Sequence, residues 1–169
     1  ISITQPRWND QAQKNGIQIE LIRKLEGVPP ILGNSSELRE VFTNIIFNAV
    51  DAMPEGGQLT ISTQPQTDSW VEVRISDTGI GMTEEVKKRI FDPFFTTKGV
   101  TNSGLGMSVS YGIIKRHEGE ILIESEPGKG TTFVLHLPIG FGEKEIEEKV
   151  LKPIKEVRPA RILVIDDED

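Results

Sequence analysis

Between Asn34 and Ile75 the apolar spacing changes from a helical period to a two-residue one, which limits the chain to folds that lay a helix on a sheet. Asn34-Ser35-Ser36-Glu37 offers a side-chain acceptor followed three residues later by Glu, the pattern of a capping box. Behind it Leu38, Val41, Phe42, Ile45 and Ala49 recur at helical spacing and define a core face. Pro54 and Gly56-Gly57 end that helix. Leu59, Ile61 and Thr63 then alternate, as do Val71, Val73 and Ile75, which predicts two adjacent antiparallel strands joined by a polar turn from Gln64 to Ser69.

The rest of the chain continues the mixture. Ile17, Ile19 and Leu21 predict a half-buried strand that stops at Gly27 and Pro29-Pro30. Thr83-Glu84-Glu85 opens a short helix through Ile90. Residues 92–104 carry Pro93, Gly99, Asn102, Ser103 and Gly104 with almost no periodicity, and a loop of that length inside a compact domain usually serves function. A helix is expected from Leu105 to His117 with Val109, Ile113 and Ile114 inward. Ile121 and Ile123 mark a strand, Pro127-Gly128-Lys129-Gly130 a turn, and Thr132 to Leu137 the last strand, closed by Pro138. The count is five or more strands and three main helices, an α+β chain.

The ends differ from this centre. Residues 1–15 are a polar lead-in, 16–140 the folded domain, 141–159 a mixed-charge linker rich in Glu and Lys, and 160–169 a short apolar run ending in four acidic residues. The first residue is Ile1 rather than Met, so the chain is expected to be an excised fragment. With 19 basic and 26 acidic residues the net charge is −7, which argues against a nucleic-acid binder. The absence of cysteine excludes disulfides, thiolate zinc sites and cysteine nucleophiles. No apolar run approaches the roughly 18–20 residues of a membrane span, and no signal segment opens the chain.

Several positions invite chemistry. Asn44 and Asn48 stand four apart on the first helix, with Asp51 three further on, and at about 100° per residue the three share an arc of roughly 60°. Asn is a poor helix-interior residue because its side chain competes for the backbone. Two readings stand on these residues alone: a solvated polar face, or oxygen donors for a hard cation such as Mg2+. Asp77-Thr78-Gly79-Ile80-Gly81 follows a strand; it is either an ordinary turn or a carboxylate placed to accept from the exocyclic amine of a base, with glycines allowing close backbone approach. Phe91-Asp92-Pro93-Phe94-Phe95-Thr96-Thr97-Lys98 combines aromatic anchors with a polar tip, as a lid requires, and Lys98 is either solvated or a phosphate contact. Gly104-Leu105-Gly106 opens a helix, where free N–H groups suit phosphate. Gly128-Lys129-Gly130-Thr131-Thr132 is a hairpin turn, or brings a threonine hydroxyl within a water of a base edge. His117 and His136 lack partners at metal spacing and read as structural or surface residues.

Singly these signals are weak, but their order and spacing are specific. The Asn44/Asn48 helix, Asp77-x-Gly79-x-Gly81, Phe91 to Lys98, Gly104-x-Gly106 and Gly128-x-Gly130-Thr131 resemble the N, G1, F, G2 and G3 boxes of a sensor histidine kinase catalytic ATP-binding domain, over roughly residues 15–139. The Pro93-Phe94-Phe95-Thr96-Thr97-Lys98 form is similar to that of nitrogen-regulator-type kinases. The resemblance implies a Bergerat fold, a two-layer α/β sandwich with a mixed, mostly antiparallel sheet covered on one face by three helices. It implies ATP and Mg2+ as cofactors, with Asn48 as the metal ligand, Asn44 on the phosphate side, and Asn44, Asn48 and Lys98 as the catalytic set. Asp77 would hold the adenine amine beside Gly79 and Gly81, with Thr132 on the adenine side. Lys98 and the lid, with Gly104, Leu105, Gly106, Met107 and Ser108, would wrap the phosphates. Asp51, Ala52, Met82, Phe94, Thr96 and Thr97 complete the implied nucleotide-binding set; many family members carry Lys or Arg where this chain has Asp51.

Relatives of the same fold among gyrase-type, mismatch-repair and chaperone ATPases place a glutamate four residues before the Mg2+ asparagine to activate water. Asn44 occupies that position here, which suits phosphoryl transfer to a supplied nucleophile better than hydrolysis. The resemblance also implies partners: dimerisation helices bearing the phosphoacceptor histidine, which nothing in this chain matches, and a response-regulator receiver domain. Arg161-Ile162-Leu163-Val164-Ile165-Asp166-Asp167-Glu168 resembles the first strand and acidic pair of such a receiver, a strand expected to be disordered or packed opportunistically without its sheet. The fragment is expected to be monomeric and cytoplasmic, its parent a homodimer, membrane-anchored or not. A stand-alone ATPase and a degenerate docking module are the alternatives.

Overall fold

The computed structural model describes residues 18–97 and 103–140. The lead-in, the charged linker, the receiver-like tail and Ile17 lie outside the described residues. The elements run β1 (Ile19–Leu25), α1 (Ser35–Asp51), β2 (Gly57–Thr67), β3 (Trp70–Asp77), α2 (Glu84–Arg89), α3 (Gly106–Arg116), β4 (Glu120–Glu126) and β5 (Gly130–Pro138). One five-stranded sheet has the order β1-β2-β3-β5-β4. β1 pairs with β2 in parallel and the remaining pairs are antiparallel, so the sheet is mixed and mostly antiparallel as expected.

One face of that sheet carries the core. On β3, Val71, Val73 and Ile75 point to the helices, and Phe133, Leu135 and Leu137 of β5 stand opposite them in register. α1 lays Val41, Ile45 and Ala49 into this layer, each at most 2% exposed, and α3 adds Ile113 and Ile114. Burying such side chains stabilises the fold by about 1.5–3 kcal/mol each. The packing fixes the azimuth of α1, and with it where Asn44 and Asn48 point.

Local chemistry sets the ends. Asn34 caps α1, its Oδ1 accepting from Ser36 N–H at 2.9 Å and Glu37 N–H at 3.2 Å. The reciprocal half of a capping box is absent. Glu37 instead meets Arg116 at 3.1 Å, and the Asn34 N–H donates to His117 Nε2 at 2.9 Å. His117 Nδ1 lies 2.8 Å from the Ile113 carbonyl, so this histidine joins the end of α3 to the start of α1, a structural role. His136 is also structural, on the outer face of the sheet 3.2 Å from Glu72.

Two expectations need correction. β2 runs on to Thr67 through a register shift at Pro65, so the loop before β3 is shorter than the polar stretch Gln64 to Ser69 suggested. Val109 is 40% exposed; Ser110, fully buried, takes the inward position on α3. Its hydroxyl is buried without loss because it donates to the Gly106 carbonyl at 2.8 Å.

Candidate functional site

A cavity of about 400 Å³ opens between α1, the turn after β3, α2 and the start of α3. One wall is the polar face of α1: Asn44, Asn48, Asp51 and Ala52. Asp77, Gly81 and Met82 line it from the turn after β3, with Thr96 and Thr97 before residues 98–102 and Gly104, Gly106 and Met107 after them.

The Asp77 carboxylate is nearly enclosed, 7% exposed at the end of a central strand. Its Oδ1 accepts from Gly79 N–H at 2.8 Å and Thr131 N–H at 3.3 Å. Both hydrogen bonds fall on one oxygen, which leaves Oδ2 as an acceptor toward the cavity. Burial pushes the Asp77 carboxyl above its ordinary range, and the two N–H groups offset part of that shift. Glycines let the backbones around Asp77 pack closely. A Cβ on Gly81, at φ 67°, would fall 1.9 Å from the Glu126 carbonyl, and one on Gly130, at φ 88°, 2.0 Å from that of Asp77.

Across the cavity Asn44 is held by α3. Its Nδ2 donates to the Gly106 carbonyl and to Ser110 Oγ, both at 3.1 Å. A carbonyl can only accept, so the amide is oriented with its nitrogen toward Gly106 and its Oδ1 left for the cavity. At Asn44 the polar face is therefore packed against α3 rather than solvated, while Asp51 on the same face is exposed. A glutamate at this position would set carboxylate oxygens against the same carbonyl.

The remaining positions divide. Gly79 lies behind the cavity, where a Cβ would meet the Ala52 carbonyl at 2.3 Å. Phe94 is 75% exposed at φ 66° and faces away, its backbone against Gly104. Leu105 is the N-cap of α3, and Ser108 donates to the Leu105 carbonyl at 2.9 Å. Neither lines the cavity. Thr132 is a correction: its hydroxyl pairs with Ser76 at 2.8 Å on the opposite face of the sheet, and Thr131 lines the cavity. Strand alternation inward from Phe133 carries this information, since residues two apart share a face. Phe47, Ile80, Val86 and Ile90 supply apolar lining that was not among the implied nucleotide-binding residues, and Phe95, one of the expected aromatic anchors, lines the cavity too. Lys98 lies outside the described residues.

The donor set fits a hard cation. Mg2+ binds through one or two protein oxygens and keeps waters and phosphates, so an amide-and-carboxylate wall suffices. A cage of three or more His, Cys, Asp or Glu is not found among the described residues. Amide side chains of α1 and the buried Asp77 carboxylate line one cavity of an α/β sandwich, of a size that a small ligand fills.

Residues 33–140 match the family described as histidine kinase-, DNA gyrase B- and HSP90-like ATPase, and the chain belongs to that family. It is 43% identical over 137 residues to "Sporulation kinase E" of Bacillus subtilis (strain 168), covering 81% of this chain and 18% of that protein. The catalytic domain of histidine kinase ThkA superposes with a TM-score of 0.68 at 27% identity, over 81% of this chain and 88% of that one. Full-length ShkA in complex with AMPPNP gives the same TM-score and identity over 81% of this chain and 28% of that one. The chain thus spans less than a fifth of the curated relative's length. It has the Bergerat sandwich of an ATP-binding domain.

Proposed function

We propose that this chain is the catalytic ATP-binding domain of a two-component sensor histidine kinase. The observation that carries the reading is one cavity with Asp77 at one end and the Asn44/Asn48 face of α1 at the other. In this reading Asp77 Oδ2 accepts from the adenine amine. Asn44 Oδ1 and Asn48 face the phosphates, Asn48 holds Mg2+, and Lys98 and the lid, of nitrogen-regulator type, cover them. Bound there, Mg2+ supplies neutralisation of the phosphate charge. The chain holds the triphosphate in line while a histidine from separate dimerisation helices attacks the γ-phosphorus; the N–P bond forms as the bond to ADP breaks. Asn44, where the hydrolytic relatives of this fold carry a glutamate, supports transfer over hydrolysis. Residues 160–169 are the start of a receiver domain, the downstream acceptor of the phosphoryl group. The domain works at the cytoplasmic side of its parent, a homodimer, and is itself monomeric; among the described residues no helix is long and apolar enough to cross a membrane.

The test is phosphotransfer. The chain is incubated with γ-labelled ATP, Mg2+ and an added dimerisation-helix pair from a related kinase. Acid-labile, base-stable label on the helices, absent with Asn48→Ala, is expected. Rapid release of inorganic phosphate by the chain alone, without label transfer, would move the reading to a stand-alone ATPase.

A further inference from the structure

Beneath Asp77 lies a hydrogen-bond chain whose proton directions are fixed, and its last member faces the cavity. Ser125 of β4 is buried and has three partners. Its Oγ accepts from Met82 N–H at 2.9 Å, lies 2.9 Å from the Gly130 carbonyl, and lies 2.9 Å from Thr131 Oγ1. The serine hydroxyl has a single proton. The Gly130 carbonyl can only accept, so that proton goes to Gly130. The Thr131 hydroxyl must then donate to Ser125, and only its lone pairs remain for the cavity it lines.

We infer that Ser125 is a specificity-determining positioning residue: by taking the Thr131 proton, it leaves the base recess with acceptors only. This rests on the proposed reading of the cavity as an ATP site. Asp77 Oδ2 and Thr131 Oγ1 together then accept from a base bearing an amine and oppose one bearing a carbonyl at the same place. Buried acceptors without a donor are costly, which is how such a recess rejects an analogue. The same chain ties Met82 and Thr131 into one frame with Asp77, whose Oδ1 accepts from the Thr131 backbone N–H.

The experiment measures the affinity of ATP and of purine riboside triphosphate, which replaces the amine by hydrogen and leaves N1 an acceptor. Wild type, Ser125→Ala, Thr131→Val and Thr131→Ser are compared in the full chain, folding being checked by circular dichroism. Ser125→Ala frees the Thr131 hydroxyl to donate, and Thr131→Val removes it. Both are expected to narrow the ATP preference by about three- to tenfold, the size of one exchanged hydrogen bond, whatever they do to overall affinity. Thr131→Ser keeps the preference. An unchanged ratio in folded Ser125→Ala and Thr131→Val would overturn the inference, even with both nucleotides bound more weakly. Failure of wild type to bind either nucleotide would instead overturn the ATP-site reading on which it stands.

Discussion

Asp77 couples stability and binding most directly. Its carboxyl is raised by burial, so the ligand-free fold holds the proton more tightly than the unfolded chain does. The sign follows: stability is greatest below the ordinary value of 3.8 and declines as pH rises through the folded pKa. Asp77→Asn removes that decline while its amide oxygen keeps the Gly79 and Thr131 N–H bonds. The ligand-free variant should melt above wild type at pH 7 and alongside it near pH 3.5, yet lose nucleotide affinity, in thermal scans across pH; an equal offset at both pH values would contradict this. At this scale the sequence singled out Asp77, Asn44 and Asn48, because polar residues at strand ends and in helix interiors need a reason, and the three line one cavity. It misplaced Thr132 for Thr131 and Val109 for Ser110. A threonine hydroxyl gives no facing signal except strand register, and a buried serine reads as surface until its acceptor on the preceding turn is seen.

Elements depend on their joints. Gly81 and Gly128 both sit at positive φ, 67° and 76°, but a Cβ on Gly81 meets the Glu126 carbonyl while one on Gly128 meets nothing within 4 Å. Gly128→Ala should therefore cost about 1–2 kcal/mol and leave binding intact, whereas Gly81→Ala should displace the turn and abolish it, read by denaturant melts beside nucleotide titration. Asn34→Ala removes the α1 cap and should cost about 1 kcal/mol by the same melts. The capped starts of α1 and α2 and the strand alternation were legible, since capping residues and apolar periods are local. The end of β2 was not, because Pro65 reads as a turn while here it sits at a register shift. Nor was the partner of the Asn34 N–H, since His117 lies 83 residues away.

For the whole molecule, the order of five short motifs carried more than any one of them. It implied an α/β sandwich and gathered Asn44, Asn48, Asp77, Thr96, Gly104 and Gly106 around one cavity. Sheet order was beyond it, because the parallel pairing of β1 with β2 leaves no local trace. The core that aims α1 is built from the sheet, α1 and α3, so Ile45→Ala, at a fully buried position, should cost about 2–5 kcal/mol and weaken nucleotide binding through α1. The central claim is that one cavity binds ATP between Asp77 and the asparagine face of α1. The most direct measurement is calorimetric titration of ATP with Mg2+ into wild type, Asp77→Ala and Asn48→Ala. Saturable one-site binding to wild type is predicted, lost in Asp77→Ala and stripped of its Mg2+ dependence in Asn48→Ala. A folded wild type that binds no nucleotide, or variants that bind as wild type does, would contradict the account.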